Sequence, residues 1–323
     1  MSDATGTPSE MTEQRRRPFL LDLLIRLVRE KPLGTAGGII VLIMLFVGIF
    51  ADFAAPYGVN EAHLEDILQA PSAKYILGTD NIGRDLLSRI IYGARISVIV
   101  GVCAAALDVV VATAIGIVSG FFGGKTDMII QRFVDAWMCF PSVFLLLTIM
   151  AILGPGMFQV IIVLGISVGI RSSRVVRAAV IGIKQNIYIE AAIAVGAPTK
   201  AILLRHILPN IMAPIIIIFT IAMGQAILTE ATLSFLGFGI PPPAPSWGGM
   251  LSGQGRYYMN IAPWMAIWPG LALAIAVYGI NMLGDALRDL LDPRLRGGLG
   301  RYVLTPKTKK LKEEKPEDKV QEA

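Results

Sequence analysis

Side chains able to do chemistry are scarce in this chain. His63 and His206 are its two histidines and Cys103 and Cys139 its two cysteines, across 323 residues. No Ser/His/Asp or Cys/His arrangement can be assembled from them. No metal cluster is implied, and both cysteines fall in apolar runs, which argues against a disulfide framework. The stretch Ser119-Gly120-Phe121-Phe122-Gly123-Gly124-Lys125-Thr126 approaches a phosphate-binding loop. That loop needs Gly where Ser119 stands and a strand before it, and here an apolar helix precedes. A tight turn is the better reading, so the chain is not expected to hydrolyse ATP itself or to be an enzyme.

Two carboxylates stand out by position. Asp108 lies in the middle of one apolar run and Glu230 in the outer half of another. Charges are costly there, so each needs a reason. Asp108 either packs against a Ser or Thr of a neighbouring helix or lines a polar translocation cavity. Glu230 is open to the same two readings.

The elements that carry these residues follow from composition. The chain is 54% hydrophobic and 16% charged, with mean hydropathy +0.64, more apolar than soluble domains. Crossing a bilayer core takes about 20 apolar helical residues. Six segments meet that length: Gly34–Phe53, Ile96–Phe122, Met128–Leu153, Phe158–Val176, Ile207–Phe235 and Pro263–Leu283. They are continuous runs, not period-2 alternation, so an all-α membrane protein is expected and a β-barrel is not.

Of 29 Lys and Arg residues, all but Lys74, Arg84, Arg89, Arg95 and Arg256 fall on the side of the termini and of the loop near residue 190. Both termini and that loop are therefore expected in the cytoplasm. The net charge of +5 follows from this bias and calls for no nucleic-acid partner.

The expected organisation has five parts. Residues 1–33 form a cytoplasmic segment with an interfacial amphipathic stretch, Pro18 to Glu30. A first span covers 34–53 and an extracytoplasmic segment 54–94. A five-helix core occupies 95–285, and a cytoplasmic tail 286–323 is disordered beyond about 297. Four-apart glycines, Gly116/Gly120/Gly124 and Gly165/Gly169, allow close helix packing in lipid. Pro141, Pro214 and Pro269 should kink their spans. Arg171, Arg174 and Arg177 should snorkel to inner headgroups. Trp247, Trp264 and Trp268 should form an outer aromatic belt.

The most informative phrase is Glu190-Ala191-Ala192-Ile193-Ala194-Val195-Gly196, continuing to Arg205-His206-Ile207-Leu208-Pro209-Asn210. It resembles the EAA loop of ATP-binding-cassette import permeases, in the wording of the peptide/nickel branch, with His206 where the general pattern has Ile. Three further stretches strengthen the resemblance: Leu77-Gly78-Thr79-Asp80 with Gly83–Ser97, then Glu230–Gly239 with Pro242–Gly248, then Gly284–Pro293. Together they are similar to the C-type subunit of the oligopeptide/dipeptide/nickel permeases, a type I importer transmembrane domain.

The resemblance implies a multi-pass protein of a prokaryotic inner membrane. Its implied partners are a homologous B-type permease, two ATPase subunits that bind ATP and Mg, and an extracytoplasmic solute-binding protein. Peptide import by alternating access is the implied activity, with nickel or another small solute as the alternative and a secondary transporter as a remote one. ATPase coupling would fall to Glu190, Ala191, Ala192, Gly196, Arg205, His206 and Pro209, within a loop at about 184–206. Pro242, Pro243, Pro245 and Trp247 would meet the solute-binding protein, and Asp108 and Glu230 are the pathway candidates.

Overall fold

A computed structural model describes residues 19–291. The polar lead with Arg15–Arg17 and the tail expected to be disordered lie outside the described residues. Among those described, helices follow one another as α1 (Phe19–Glu30), α2 (Pro32–Ile49), α3 (Ala51–Ala54), α4 (Leu86–Phe122), α5 (Gly124–Cys139), α6 (Ser142–Leu153), α7 (Met157–Lys184) and α8 (Ile187–Ala194). A short α9 (Thr199–Ala201), a π-helical turn at Ile202–Ile207 and α10 (Leu208–Asn210) lead into α11 (Met212–Phe235). Then come α12 (Trp247–Leu251), α13 (Gly253–Tyr257) and α14 (Trp264–Leu291).

Five of these, α2, α4, α7, α11 and α14, are long and apolar enough to cross a membrane. The expected third span, Met128–Leu153, is broken into two helices, α5 and α6, that meet at 91°, a sharper break than a simple kink at Pro141. Pro141 accounts for the break. Its ring disfavours helical backbone in the residue before it, and Phe140 is extended at φ −81° and ψ 134°. The other two prolines leave their helices intact. Pro214 lies in the first turn of α11, where no intrahelical bond is lost, and α14 runs on through Pro269.

The α4–α7 pair decides the topology. Gly165 of α7 lies on Leu107, Gly169 on Val111, and then Val176 on Gly116 and Val180 on Gly120. Both series rise together, so α4 and α7 are parallel. The chain must therefore return across the membrane between Phe122 and Met157, and only α5 and α6 lie between them. At about 1.5 Å per residue, legs of 16 and 12 residues set at 91° span roughly 30 Å end to end, the thickness of a bilayer core. The bent pair is the sixth crossing.

Contact within the bundle is made by small residues, as expected where lipid is as apolar as the side chains. Along the α4–α7 seam the glycines sit on α7 in the outer half and on α4 in the inner half. Gly124 is no part of it: nothing lies within 4 Å of its Cβ position, and with Gly123 it forms the tight turn into α5. Half of α7's most apolar stretch is buried, against 22% for α14, so α7 is central and α14 peripheral. In the antiparallel α2–α14 pair, Gly34 lies on Ala286 and Gly37 on Gly279. Helix α1 is held to this pair by Leu27 packing with Ala286 and Leu290.

Residues 55–85 cover one end of the bundle, here termed outer after the charge bias, and α8 lies at the other, inner end. The outer segment is knotted by backbone bonds such as His63 N to Gly83 O (3.0 Å) and Thr79 N to Gln69 O (3.0 Å). Its Asp66 accepts from Lys74 Nζ (2.7 Å) and the Tyr75 hydroxyl (2.8 Å). These bonds hold the Asp66 carboxyl below the usual carboxylate range, Lys74 contributing most.

Candidate functional site

Helix α8 ends as the glycine in its phrase predicts. Gly196 adopts φ +80°, its N–H bonds Ile193 O (3.0 Å), and Ala197 N–H bonds Ala192 O (3.0 Å). This pair of bonds is a Schellman closure, which requires a left-handed residue at Gly196. Glu190 lies in the first turn, where its charge suits the helix dipole.

The two faces of α8 differ. Ile189 is fully buried and packs with Ile202, Ile207 and Ile211. The opposite face presents Ile187 (83% exposed), Ala191, Ala194 and Val195 (89%), a ridge at the spacing of one helix face. Ala192 is half-buried, inward of the ridge. His206 is half-buried with its ring 6.3 Å from that of Tyr188, while Arg205 and Pro209 are exposed. Pro209 has no N–H and its ring would crowd the Arg205 carbonyl in a regular helix; the π turn just before it widens the backbone there.

At the same end, α5 is tied to α7 by ions. Arg177 Nε donates to Asp127 Oδ1 (2.6 Å), and Arg174 pairs with Asp135. This corrects the snorkelling expected of those two arginines: acidic residues on the polar face of α5 reach them first. Ser119 and Gln131 join the Asp127 cluster, so Ser119, which stands where a phosphate loop needs Gly, is tied to an aspartate.

At the outer end, three phrases remote in sequence converge. Trp247 is buried and its indole donates to Ile90 O (3.1 Å), entering a space that a Cβ on Gly93 would close to 2.6 Å. Gly248 lies against Ala231 O. Trp264 donates to Thr79 O (3.1 Å). The expected belt is thus corrected for Trp247, which is buried; Trp264 is half-buried and spends its indole N–H on backbone within the chain. Pro242 and Pro243 are exposed, whereas Pro245 is buried beside Trp247.

Glu230 lies beneath this loop. Its Oε1 accepts from Ser234 Oγ (2.6 Å), and that oxygen in turn accepts from Ile240 N (3.1 Å). Asp108 is 1% exposed and faces α7, where the Ser172 side chain is its polar neighbour, although neither carboxylate oxygen meets strict hydrogen-bond geometry. The two carboxylates are therefore separate features, one at the helix seam and one under the outer loop.

Residues 112–297 match the model of the family described as binding-protein-dependent transport system inner membrane component. Residues 20–71 match the N-terminal transmembrane domain of oligopeptide transport permease C. The chain belongs to the binding-protein-dependent permease family. It is 39% identical to a dipeptide transport system permease protein of Alkalihalophilus pseudofirmus, over 83% of this chain and 88% of that one. It is 38% identical to an oligopeptide transport system permease protein of Bacillus subtilis, over 91% and 95%. A glutathione transport system permease protein of Pectobacterium atrosepticum is 39% identical over 81% and 87%.

As a member of that family this permease is a multi-pass inner membrane protein, and transport, not catalysis, is its task. Sequence reasoning missed Ile187 and Ile189, although the spacing of Ile187, Ala191, Ala194 and Val195 was there to be read. It also gave no part to Arg84 and Arg89, which border a cavity lined by five segments of the chain.

Proposed function

We propose that this permease passes peptides across the membrane as one half of a translocation pathway, with a homologous permease as the other half. Two ATPase subunits on the inner side would bind ATP and Mg and drive alternating access. A solute-binding protein would deliver cargo at the outer end, meeting Pro242 and Pro243. The names of the related dipeptide, oligopeptide and glutathione permeases support peptides as the cargo class. The charge bias supports the orientation, with both termini inside.

One observation carries the coupling assignment: a short helix, closed by Gly196, that presents an unpartnered apolar ridge at the inner end. Such a ridge is costly in water and is satisfied by docking into a groove of another protein. Ile189 fastens α8 to the isoleucines leading into α11, so displacement of α8 would move a span and not merely a loop.

The test is Gly196→Val against Gly196→Asn. Nothing lies within 4 Å of the Gly196 Cβ position, so Val acts through backbone strain alone, of about 1–3 kcal/mol. Asn tolerates a left-handed backbone and should restore function. Expected is loss of ATPase copurification and of uptake in Gly196→Val, near-normal behaviour in Gly196→Asn, and equal membrane insertion of both. A Gly196→Val complex that keeps its ATPases and imports at the normal rate would sink the assignment.

A further inference from the structure

A cavity of about 370 Å³ opens at the outer end between residues 80–89, the α6–α7 turn and the loop that follows α11. Its volume falls in the range of small-molecule sites, about 300–1,000 Å³. Arg84 and Arg89 border it, and both are more than nine-tenths buried.

Asp80 is the carboxylate beside them, and its acceptor capacity is nearly spent. Oδ1 takes the N–H groups of Ile82 (3.0 Å) and Arg84 (2.9 Å), and Oδ2 takes Arg84 Nε (2.7 Å). Arg89 Nε stands 3.8 Å from that oxygen, too far to bond. Among the described residues its side chain makes one hydrogen bond, a long one from Nη1 to Val59 O (3.4 Å). The neighbouring Asp85 takes the N–H and hydroxyl of Ser88 on Oδ2. Glu230 takes the Ser234 hydroxyl on Oε1, and its Oε2 has no hydrogen-bond partner among the described residues. Two desolvated guanidiniums thus face a cavity with several N–H donors free of any acceptor among the described residues. A planar anion that accepts two parallel bonds fits that arrangement, and a carboxylate is such an anion.

We propose that Arg84 and Arg89 form a carboxylate-binding site that takes the C-terminal carboxylate of the incoming peptide at the outer end of this permease. This rests on the peptide-permease reading. Arg89, which has the weaker internal partners, makes the principal contact, and Arg84 is held in place by Asp80.

The test uses proteoliposomes holding the complete importer with its binding protein, and measures uptake of trialanine and of trialanine amide. Arg89→Gln should lower the acid-to-amide uptake ratio on the order of tenfold or more, the worth of a charged hydrogen bond. Arg89→Lys, which keeps the charge but not the two parallel bonds, should lower the ratio less than Arg89→Gln does. Ala244→Trp, which puts a large ring at an exposed residue lining the cavity, should slow both substrates. An unchanged ratio in Arg89→Gln overturns the proposal. So does an equal loss for acid and amide, which would direct the guanidiniums at an acidic group of the delivering protein. If the unaltered importer moves neither tripeptide, the peptide reading itself fails and the proposal with it.

Discussion

Leu107 of α4 sits in the notch left by Gly165 of α7: a Cβ placed on Gly165 would stand 2.6 Å from the Cβ of Leu107. Neither atom is the movable end of a side chain. The consequence is specific. Gly165→Ala should force the two helices apart, at about 1–3 kcal/mol, and lower the midpoint of thermal unfolding of the detergent-solubilised complex. Leu107→Ala should not restore it, since the clash is Cβ to Cβ, whereas Leu107→Gly should do so in part. Full rescue by Leu107→Ala would show that the seam yields where the geometry says it cannot.

Ile187 is the largest apolar side chain on the exposed ridge of α8. Ile187→Glu leaves Ile189 and the Gly196 closure untouched, so α8 itself should persist. The expected result is a permease that inserts normally but recovers at least tenfold less ATPase subunit on copurification, the effect of placing an unpaired charge in an apolar contact. Ile187→Leu should behave as the unaltered protein. Undiminished recovery with Ile187→Glu would move the docking surface elsewhere.

Asp127 and Arg177 join α5 to α7 by two short charged bonds. Among the described residues of α5, Val134 is the buried one, so packing does little to hold this helix. Asp127→Ala should destabilise the permease by about 1–3 kcal/mol, and the double variant Asp127→Ala/Arg177→Leu should be less impaired than the two single losses added together. Strict additivity in thermal unfolding would mean the pair contributes nothing as a pair.

Acid should loosen the outer segment. The Asp66 carboxyl is held below its ordinary range by Lys74 first and Tyr75 second. A carboxyl with a lowered folded pKa contributes stability that is present above its unfolded value, about 4, and is lost as pH falls through the folded value. Proteolytic nicking between residues 55 and 85 should therefore rise below about pH 4. Asp66→Asn should already be nicked at pH 7 and change less on acidification. Equal acid sensitivity in both forms would assign the effect to another group.

The six crossings, the right-angled break's proline and the glycine closing α8 were legible because each is a local property: run length, a missing donor, a left-handed residue. Pairing was not. The spans are apolar on all sides, so hydropathy does not say which face of α4 meets α7, and only the glycine positions hint at it. The parallel run of α4 and α7, which makes the bent pair a crossing, emerges from contacts tens of residues apart. Arg174 and Arg177 were misread for the same reason, since their aspartates lie on a helix about 40 to 50 positions earlier. Trp247 looked like a surface aromatic until the fold brought it under Gly93. For α8 the sequence marks the ridge, while Ile189 is recognisable as an anchor only once the isoleucines at 202, 207 and 211 surround it.

The bent pair also bears on how this protein is made. Helix α6, at 12 residues, is about 18 Å long and too short to cross alone. Helix α5 brings Asp127 and Asp135 with it, and the arginines that neutralise them are synthesised 50 and 39 residues later, respectively. The sixth crossing is therefore expected to reach its final packing only after α7 has emerged, because until Arg174 and Arg177 are made the two aspartates are without these counter-ions.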